Sequence, residues 1–419
     1  MNTDLSTSQQ QPATERLPLS LGWLALGAFA LGTESFMVVG LLPVLAADLQ
    51  ISAARAGQLV LLFALSYAIG SPVMAALLAR FGRRPLLIAS LAAFSALTLA
   101  ASMAHGFAQL ALARVALGLV AGVFLPTASA VAAAMVSPAL RGRALAIVTG
   151  GGTVAVALGV PLGAWIAGWG GWRTAYLLIA AVAALATWGL ALGLPRQLGL
   201  VPVVAAAATK GTPAFAVARV PGVLPALLTT MLWTTGGFSF YTYIAPFLSA
   251  TLGFGTEGVG AMFFAIGVAA AIGTAAGGWA TDRLGADRTA QGFALMLVVI
   301  LGGLSFSAQM LPRGLALPLI VGLSALWAFA GWGFGPAQAV RLIRLAPERA
   351  PMTLSLNASA IYLGIAAGSV SGGAAIELVG VSAVGWVGAA FQFAGLMLLL
   401  RAAHKARTAG SALAAAATA

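Results

Sequence analysis

The chain has 419 residues, 61% of them hydrophobic and only 7% charged, with a mean hydropathy of +1.01 and a formal net charge of +12. That composition excludes a water-soluble domain with an ordinary polar surface and implies a polytopic membrane protein. Cysteine is absent, which excludes disulfides and thiolate metal sites, and no cofactor is expected.

The first 18 residues, MNTDLSTSQQQPATERLP, are polar with no apolar core, so residues 1–19 read as a tail and not as a cleaved signal peptide. After them, runs of about 20 apolar residues recur along the whole chain, each long enough to cross the hydrocarbon layer as a helix. Twelve spans are predicted, at 20–44, 56–79, 86–104, 108–136, 144–167, 174–194, 223–250, 258–280, 289–310, 315–340, 353–377 and 383–400.

Span 1 contains GTESFMVVGLLPVL, in which Glu34 interrupts a sequence otherwise built for lipid. The nearest charges along its helix are Arg16 and Asp48, 18 residues before and 14 after, so Glu34 is the one acid placed deep in the membrane. Burial raises a carboxyl's pKa and a neighbouring cation lowers it, so a group under both influences can exchange a proton near neutral pH. Phe36 follows on the same helix as a cavity candidate. The turn after span 2 reads AALLARFGRRP, with Arg80, Gly82, Arg83 and Arg84.

Span 4 carries LARVALGLVAG. Arg114 is the one base placed inside a span, and Gly118 and Gly122 follow it at intervals of four on one helical face, allowing a neighbouring helix close beside the guanidinium. An intramembrane charge costs about 2.5 to 3.5 kcal/mol even on the most forgiving scale, so Arg114 is expected to face the protein interior and a partner. Span 1 runs outward and span 4 inward, which brings Glu34 and Arg114 to depths differing by only ~3 Å at the helical rise per residue. Span 5 reads GGGTVAVALGVPLGAWIAGWGGWR, where Gly151, Ala155, Gly159 and Gly163 form a small-residue stripe beside Pro161. Gly364, Gly368 and Gly372 form a second stripe in span 11.

A proline-rich segment, 195–222, divides the chain into bundles at 20–194 and 223–400, with a C-terminal tail at 401–419. Adding 203 carries Pro43 to Pro246, Gly57 to Gly260, Gly70 to Gly273, Arg80 to Arg283, Gly82 to Gly285 and Arg141 to Arg344, which indicates a duplicated six-span unit. Glu34 maps to Gly237, so the deep carboxyl belongs to the first half alone. The second half offers Phe238, Tyr241 and Tyr243 in span 7, Gln338 in span 10, and Asn357 and Tyr362 in span 11 as cavity-lining groups for a substrate. The turn between spans 8 and 9, GGWATDRLGADR, places Gly278, Asp282, Arg283 and Gly285 where an acid and a base at a helix end can latch a neighbouring helix.

Basic residues fall mainly on one side of these spans. If the N-terminus is cytoplasmic, 17 of the 21 lie in inner segments, Arg55, Arg173 and Arg313 lie outside, and Arg114 lies within a span. The positive-inside rule then places both termini in the cytoplasm and accounts for the basic charge without nucleic acid. Neither TKG nor HKA ends a phosphate-binding loop, which excludes ATP hydrolysis within this chain. An intramembrane hydrolase lacks a buried base, since His105 and His404 lie at boundaries and Glu34 has no second deep carboxyl.

Across essentially its whole length the chain resembles the major facilitator superfamily. Gly278, Asp282, Arg283 and Gly285 match the family's loop signature G-x-x-x-D-R-x-G, whereas the first-half turn has Ala75 and Ala79 in place of the signature Gly and Asp. Arg114, Gly118 and Gly122 match R-x-x-x-G-x-x-x-G, which the family associates with proton transfer. Gly159, Pro161 and Gly163 form a variant of the span 5 motif of its antiporters, with Val160 inserted before the proline. The pattern is similar to the twelve-span drug:proton antiporters, especially bacterial sugar, purine and arabinose-type efflux permeases. The resemblance implies an all-α fold of two pseudo-symmetric six-helix bundles in a bacterial inner membrane. It further implies a monomer that exchanges protons for a sugar-like, nucleoside-like or amphipathic drug-like molecule by alternating access. A symporter or a passive facilitator shares the fold, and a non-transporting receptor is the remote alternative.

Overall fold

The computed structural model describes residues 17–78, 81–137, 140–195 and 217–418. Among them every long element is a helix: α1 Ser20–Asp48, α2 Ala53–Leu77, α3 Arg83–Ser102, α4 Phe107–Ala134, α5 Arg141–Val154, α6 Val160–Gly193, α7 Val223–Tyr241, α8 Ile244–Leu252, α9 Thr256–Leu284, α10 Ala286–Met310, α11 Arg313–Leu345, α12 Ala350–Leu378 and α13 Val384–Thr418. Eleven helical segments are long and apolar enough to cross a membrane, one of them the 53-residue run Arg141–Gly193. Gly171, at φ 76° and ψ 165°, breaks that run where no side-chain-bearing residue is comfortable, so it supplies both span 5 and span 6. Span 7 is broken as well: α7 ends at Tyr241, and α8 resumes after Thr242 and Tyr243. The twelve predicted spans are therefore present, with ends displaced by a few residues.

Two local departures have simple causes. Pro161 has no N–H to offer the carbonyl four residues earlier, at Ala157, and the preceding turn, Ala155–Gly159, widens into a π-helix. The last helix continues to Thr418, beyond the end expected at 400, because the alanine-rich sequence after Arg401 has high helix propensity. Residues 1–16 and most of the 195–222 linker lie outside the described residues, as do Ala79 and Arg80.

The halves repeat one packing scheme. In the first, span 1 packs on spans 5 and 6, span 2 on span 4, and span 3 on spans 4 and 6; in the second, spans 7 to 12 reproduce those pairings in order. The sequence repeat has the same basis. Gly70 receives Leu119 of span 4 and its counterpart Gly273 receives the Phe329 backbone of span 10, so both glycines allow the same close crossing. Each small-residue stripe lies against the first span of its half: Gly151, Gly159 and Gly163 against Ala25, Thr33 and Met37, and Gly364, Gly368 and Gly372 against Thr234, Thr235 and Ser239.

The halves meet chiefly through spans 2 and 11 and through spans 5 and 8. The end of the molecule where α1 begins is here termed the terminal end and the opposite one the distal end. Near the distal end Ser369 Oγ donates to Gly57 O at 2.7 Å, and Tyr243 Oη donates to Ser369 O at 2.7 Å. Toward mid-depth, Tyr67 stacks on Tyr362 with ring centroids 3.7 Å apart, and Gly267 abuts the backbone of Ala157.

Candidate functional site

Gly118 and Gly122 let span 4 lie on the span 2 backbone, against Phe63 O and Ser71 respectively. That contact drives Arg114, one turn earlier, between spans 1 and 2. Its Nη1 donates to Glu34 Oε1 at 2.5 Å and to Glu34 O at 3.2 Å, its Nε to Leu59 O at 3.2 Å, and its Nη2 to Ser35 O at 3.4 Å. The guanidinium also sits over the Phe63 ring, 4.4 Å from its centroid. Both side chains are 0% exposed. The expected pair is therefore formed, and at such burial each charge depends on the other for the solvation that water would provide.

The pair is asymmetric. Arg114 holds three backbone carbonyls besides the carboxylate, whereas Glu34 Oε2 has no hydrogen-bond partner. The hydroxyl of Thr33, its neighbour in the chain, is likewise buried without a hydrogen-bond partner. Gly159 is placed by the π-turn directly against Thr33, where a Cβ would collide with Oγ1, and Gly163 lies against Met37. Gly159, Pro161 and Gly163 thus shape the wall of span 5 that backs the Glu34 segment of span 1.

Of the cavity candidates, Phe36, Phe238 and Tyr241 converge across the bundle interface, with Phe36 centroids 6.3 Å from both of the others and Phe238 5.4 Å from Tyr241. Tyr241 also stacks on Trp327 and meets Trp332 and Phe263 edge-on, forming an aromatic cluster larger than the sequence indicated. Tyr241 Oη and Trp327 Nε1 are both buried without partners. Tyr362 stacks on Tyr67 at the seam, and Tyr243 belongs to the distal contact described above.

Gln338 and Asn357 both bond within the second bundle. Gln338 Nε2 donates to Ala226 O and Thr230 Oγ1, its Oε1 accepts from Arg341 Nη1 at 2.6 Å, and Arg341 Nε donates to Asp287 Oδ1 at 2.6 Å. Thr230 Oγ1 in turn donates to Asn357 Oδ1 at 2.7 Å. This network ties spans 7, 9, 10 and 11 together, engaging Gln338 fully and Asn357 through its Oδ1. The three-residue interval between Gln338 and Arg341, one face of a helix, was its signal in the sequence.

The latch candidates are only partly joined. Asp282 and Arg283 are exposed; Arg283 lies 5.9 Å from the Trp279 ring, and among the described residues Asp282 makes no ion pair. Gly285, at φ 85°, makes the tight turn expected of it, while a Cβ on Gly278 would meet open space, so close helix approach is not what that glycine provides. In the first-half turn Gly82 starts α3, and Arg84 donates to the carbonyls of Ala191 and Leu194 at the end of span 6. Arg83 Nε is buried without a partner, and Arg80 lies outside the described residues.

Two pseudo-symmetric six-helix bundles with a buried acid–base pair in one of them define a membrane carrier. Residues 24–340 match the Major Facilitator Superfamily, and the chain belongs to that superfamily. It is a transporter and not an enzyme. It is 34% identical over 383 residues to inner membrane transport protein YdhP of Escherichia coli K12, covering 91% of this chain and 95% of that one. It is 32% identical to the chloramphenicol resistance protein of Streptomyces lividans, covering 84% and 88%. The D-xylose–proton symporter structure superposes with a TM-score of 0.73 at 17% identity, covering 91% of this chain and 97% of that one. A bacterial homologue of the lysosomal transporter Spinster superposes at 0.71 and 18%, covering 92% and 95%.

Proposed function

We propose that this protein is a proton-driven efflux carrier of the bacterial inner membrane, with both termini cytoplasmic, exporting a small sugar-like, nucleoside-like or amphipathic drug-like molecule by alternating access. The observation that carries the reading is the fully buried Glu34–Arg114 pair, an ionisable couple that folding alone does not require in the membrane. The resemblance to the chloramphenicol resistance protein of Streptomyces lividans supports the export direction.

In the proposed cycle, a proton from the outside neutralises Glu34 and removes the charge that holds it to Arg114, and substrate is released outward. Return of the proton to the cytoplasm restores the ion pair and resets the carrier. Arg114 keeps its three carbonyl partners throughout, so neutralising Glu34 does not strand a buried cation. The test is accumulation of a panel of compounds, chloramphenicol included, in an efflux-deficient host expressing the protein. Collapse of the proton gradient raises accumulation of an exported compound if the carrier is an antiporter and lowers it if the carrier is a symporter.

A further inference from the structure

Spans 5 and 8 belong to different halves, and toward the distal end they do not close completely on each other. Two cavities lie between them, of about 400 Å³ and about 470 Å³, and Trp165 and Glu257 line both, so they are parts of one groove. Beneath it the seam is shut, because Gly267 abuts the backbone of Ala157.

The mouth of the groove has the chemistry of a cation site. Trp165 and Trp169 precede the break at Gly171 by six and two residues, and Glu257 is the second residue of α9, so all three stand within about 10 Å of the distal ends of their helices. That is the depth at which indole rings lie between hydrocarbon and headgroups. Both indoles are exposed, with centroids 4.4 Å apart and planes inclined at 53°, so they offer π faces rather than a closed stack. Glu257 is exposed, makes no ion pair among the described residues, and no basic side chain lines either cavity. A carboxylate beside two indole faces attracts a cation. Deeper, the lining turns apolar, with Leu158 and Leu162 from span 5 and Phe264 from span 8, all exposed. Leu158 lies seven residues before Trp165, so this apolar floor runs about 10 Å along the helix, a bed for a hydrocarbon chain.

We propose that this groove holds a phospholipid of the distal leaflet whose headgroup carries an ammonium, as ethanolamine does. The ammonium lies against Trp165, Trp169 and Glu257, one acyl chain follows Leu162 and Leu158 down the seam, and the phosphate stays in the hydrated headgroup layer, where it needs no protein partner. Charge complementarity selects this occupant: a lipid with an anionic headgroup brings its only charge up to Glu257, with no base lining the groove to receive it. The lipid touches both halves at once, so a side chain from each, Trp169 of span 5 and Glu257 of span 8, contributes to its affinity. Neither proton coupling nor the identity of the cargo enters into its binding.

The experiment is native mass spectrometry of the full chain in detergent micelles, titrated with dioleoylphosphatidylethanolamine or with dioleoylphosphatidylglycerol, which has the same chains and phosphate but no ammonium. The parent protein is expected to bind the ethanolamine lipid more tightly. Glu257→Gln is expected to weaken that binding about two- to fivefold, and Trp169→Leu, which keeps apolar area but removes a π face, by a similar factor. The glycerol lipid is held no less tightly by either variant. Both side chains are exposed, so both variants fold. Glu348→Gln, the same change of charge at an exposed acid of the terminal end, is expected to leave both affinities at the parent's values. An ethanolamine lipid bound no more tightly than the glycerol lipid overturns the proposal, as does an equal loss in Glu257→Gln and Glu348→Gln. Equal weakening of both lipids by Trp169→Leu overturns it too, since apolar contact alone would then account for binding.

Discussion

Arg114→Ala is expected to destabilise the protein more than Glu34→Gln, although each breaks the same ion pair. Removing one partner of a buried pair costs about 3–5 kcal/mol when the other is left unpaired, and Arg114→Ala does this to Glu34, whose second oxygen already has no partner. In Glu34→Gln the amide oxygen still accepts from Arg114, and the guanidinium keeps Leu59 O, the residue 34 carbonyl and Ser35 O as acceptors, all main-chain atoms that the substitution preserves. Only the charge on one hydrogen bond is lost, a cost of about 1.5 kcal/mol. The expected difference is thus about 1.5–3.5 kcal/mol. Unfolding in mixed micelles followed by tryptophan fluorescence measures it, and the double variant completes a cycle whose coupling is expected to be about 0.5–3 kcal/mol. Equal losses, or a greater loss for Glu34→Gln, would refute the asymmetry read from the hydrogen bonds.

Further expectations follow from other contacts. Gly159→Ala places a Cβ against Thr33 and is expected to lower stability by about 1–3 kcal/mol through overpacking, whereas Gly278→Ala, with open space at the same atom, is expected to be neutral in the same unfolding assay. Asp287→Asn, which breaks the contact with Arg341, is expected to cost up to about 1 kcal/mol, and Asp282→Asn less than half of that, unless Asp282 pairs in the other conformation; in that case transport and not stability falls. Gly57→Ala drives a Cβ into the Tyr243 hydroxyl and is expected to loosen the distal seam, raising thiol labelling of an Ala54→Cys reporter in this cysteine-free chain; unchanged labelling would mean that the seam does not control the state.

Helix number, duplication and the Glu34–Arg114 encounter were legible in the sequence because each rests on a strong local rule: apolar length, a fixed offset, and the cost of burying a lone charge. The π-turn was not anticipated, although Pro161 was noted, because whether a missing N–H kinks, widens or ends a helix depends on the neighbour it meets. The sequence shows only that Gln338 and Asn357 are amides; the Ala226 carbonyl and Thr230 hydroxyl that meet them come from another helix, brought there by packing. The carbonyls that hold Arg114 left no trace for a more basic reason: every residue has one.

The central claim, that Glu34 couples export to protons, is tested most directly by counterflow in proteoliposomes with a compound first shown to be exported. The parent protein is expected to drive that compound against its gradient when a pH gradient is imposed. Glu34→Gln is expected to bind the compound and exchange it at equal concentrations while failing to drive it uphill. Uphill transport by Glu34→Gln at the parent's rate would contradict the account.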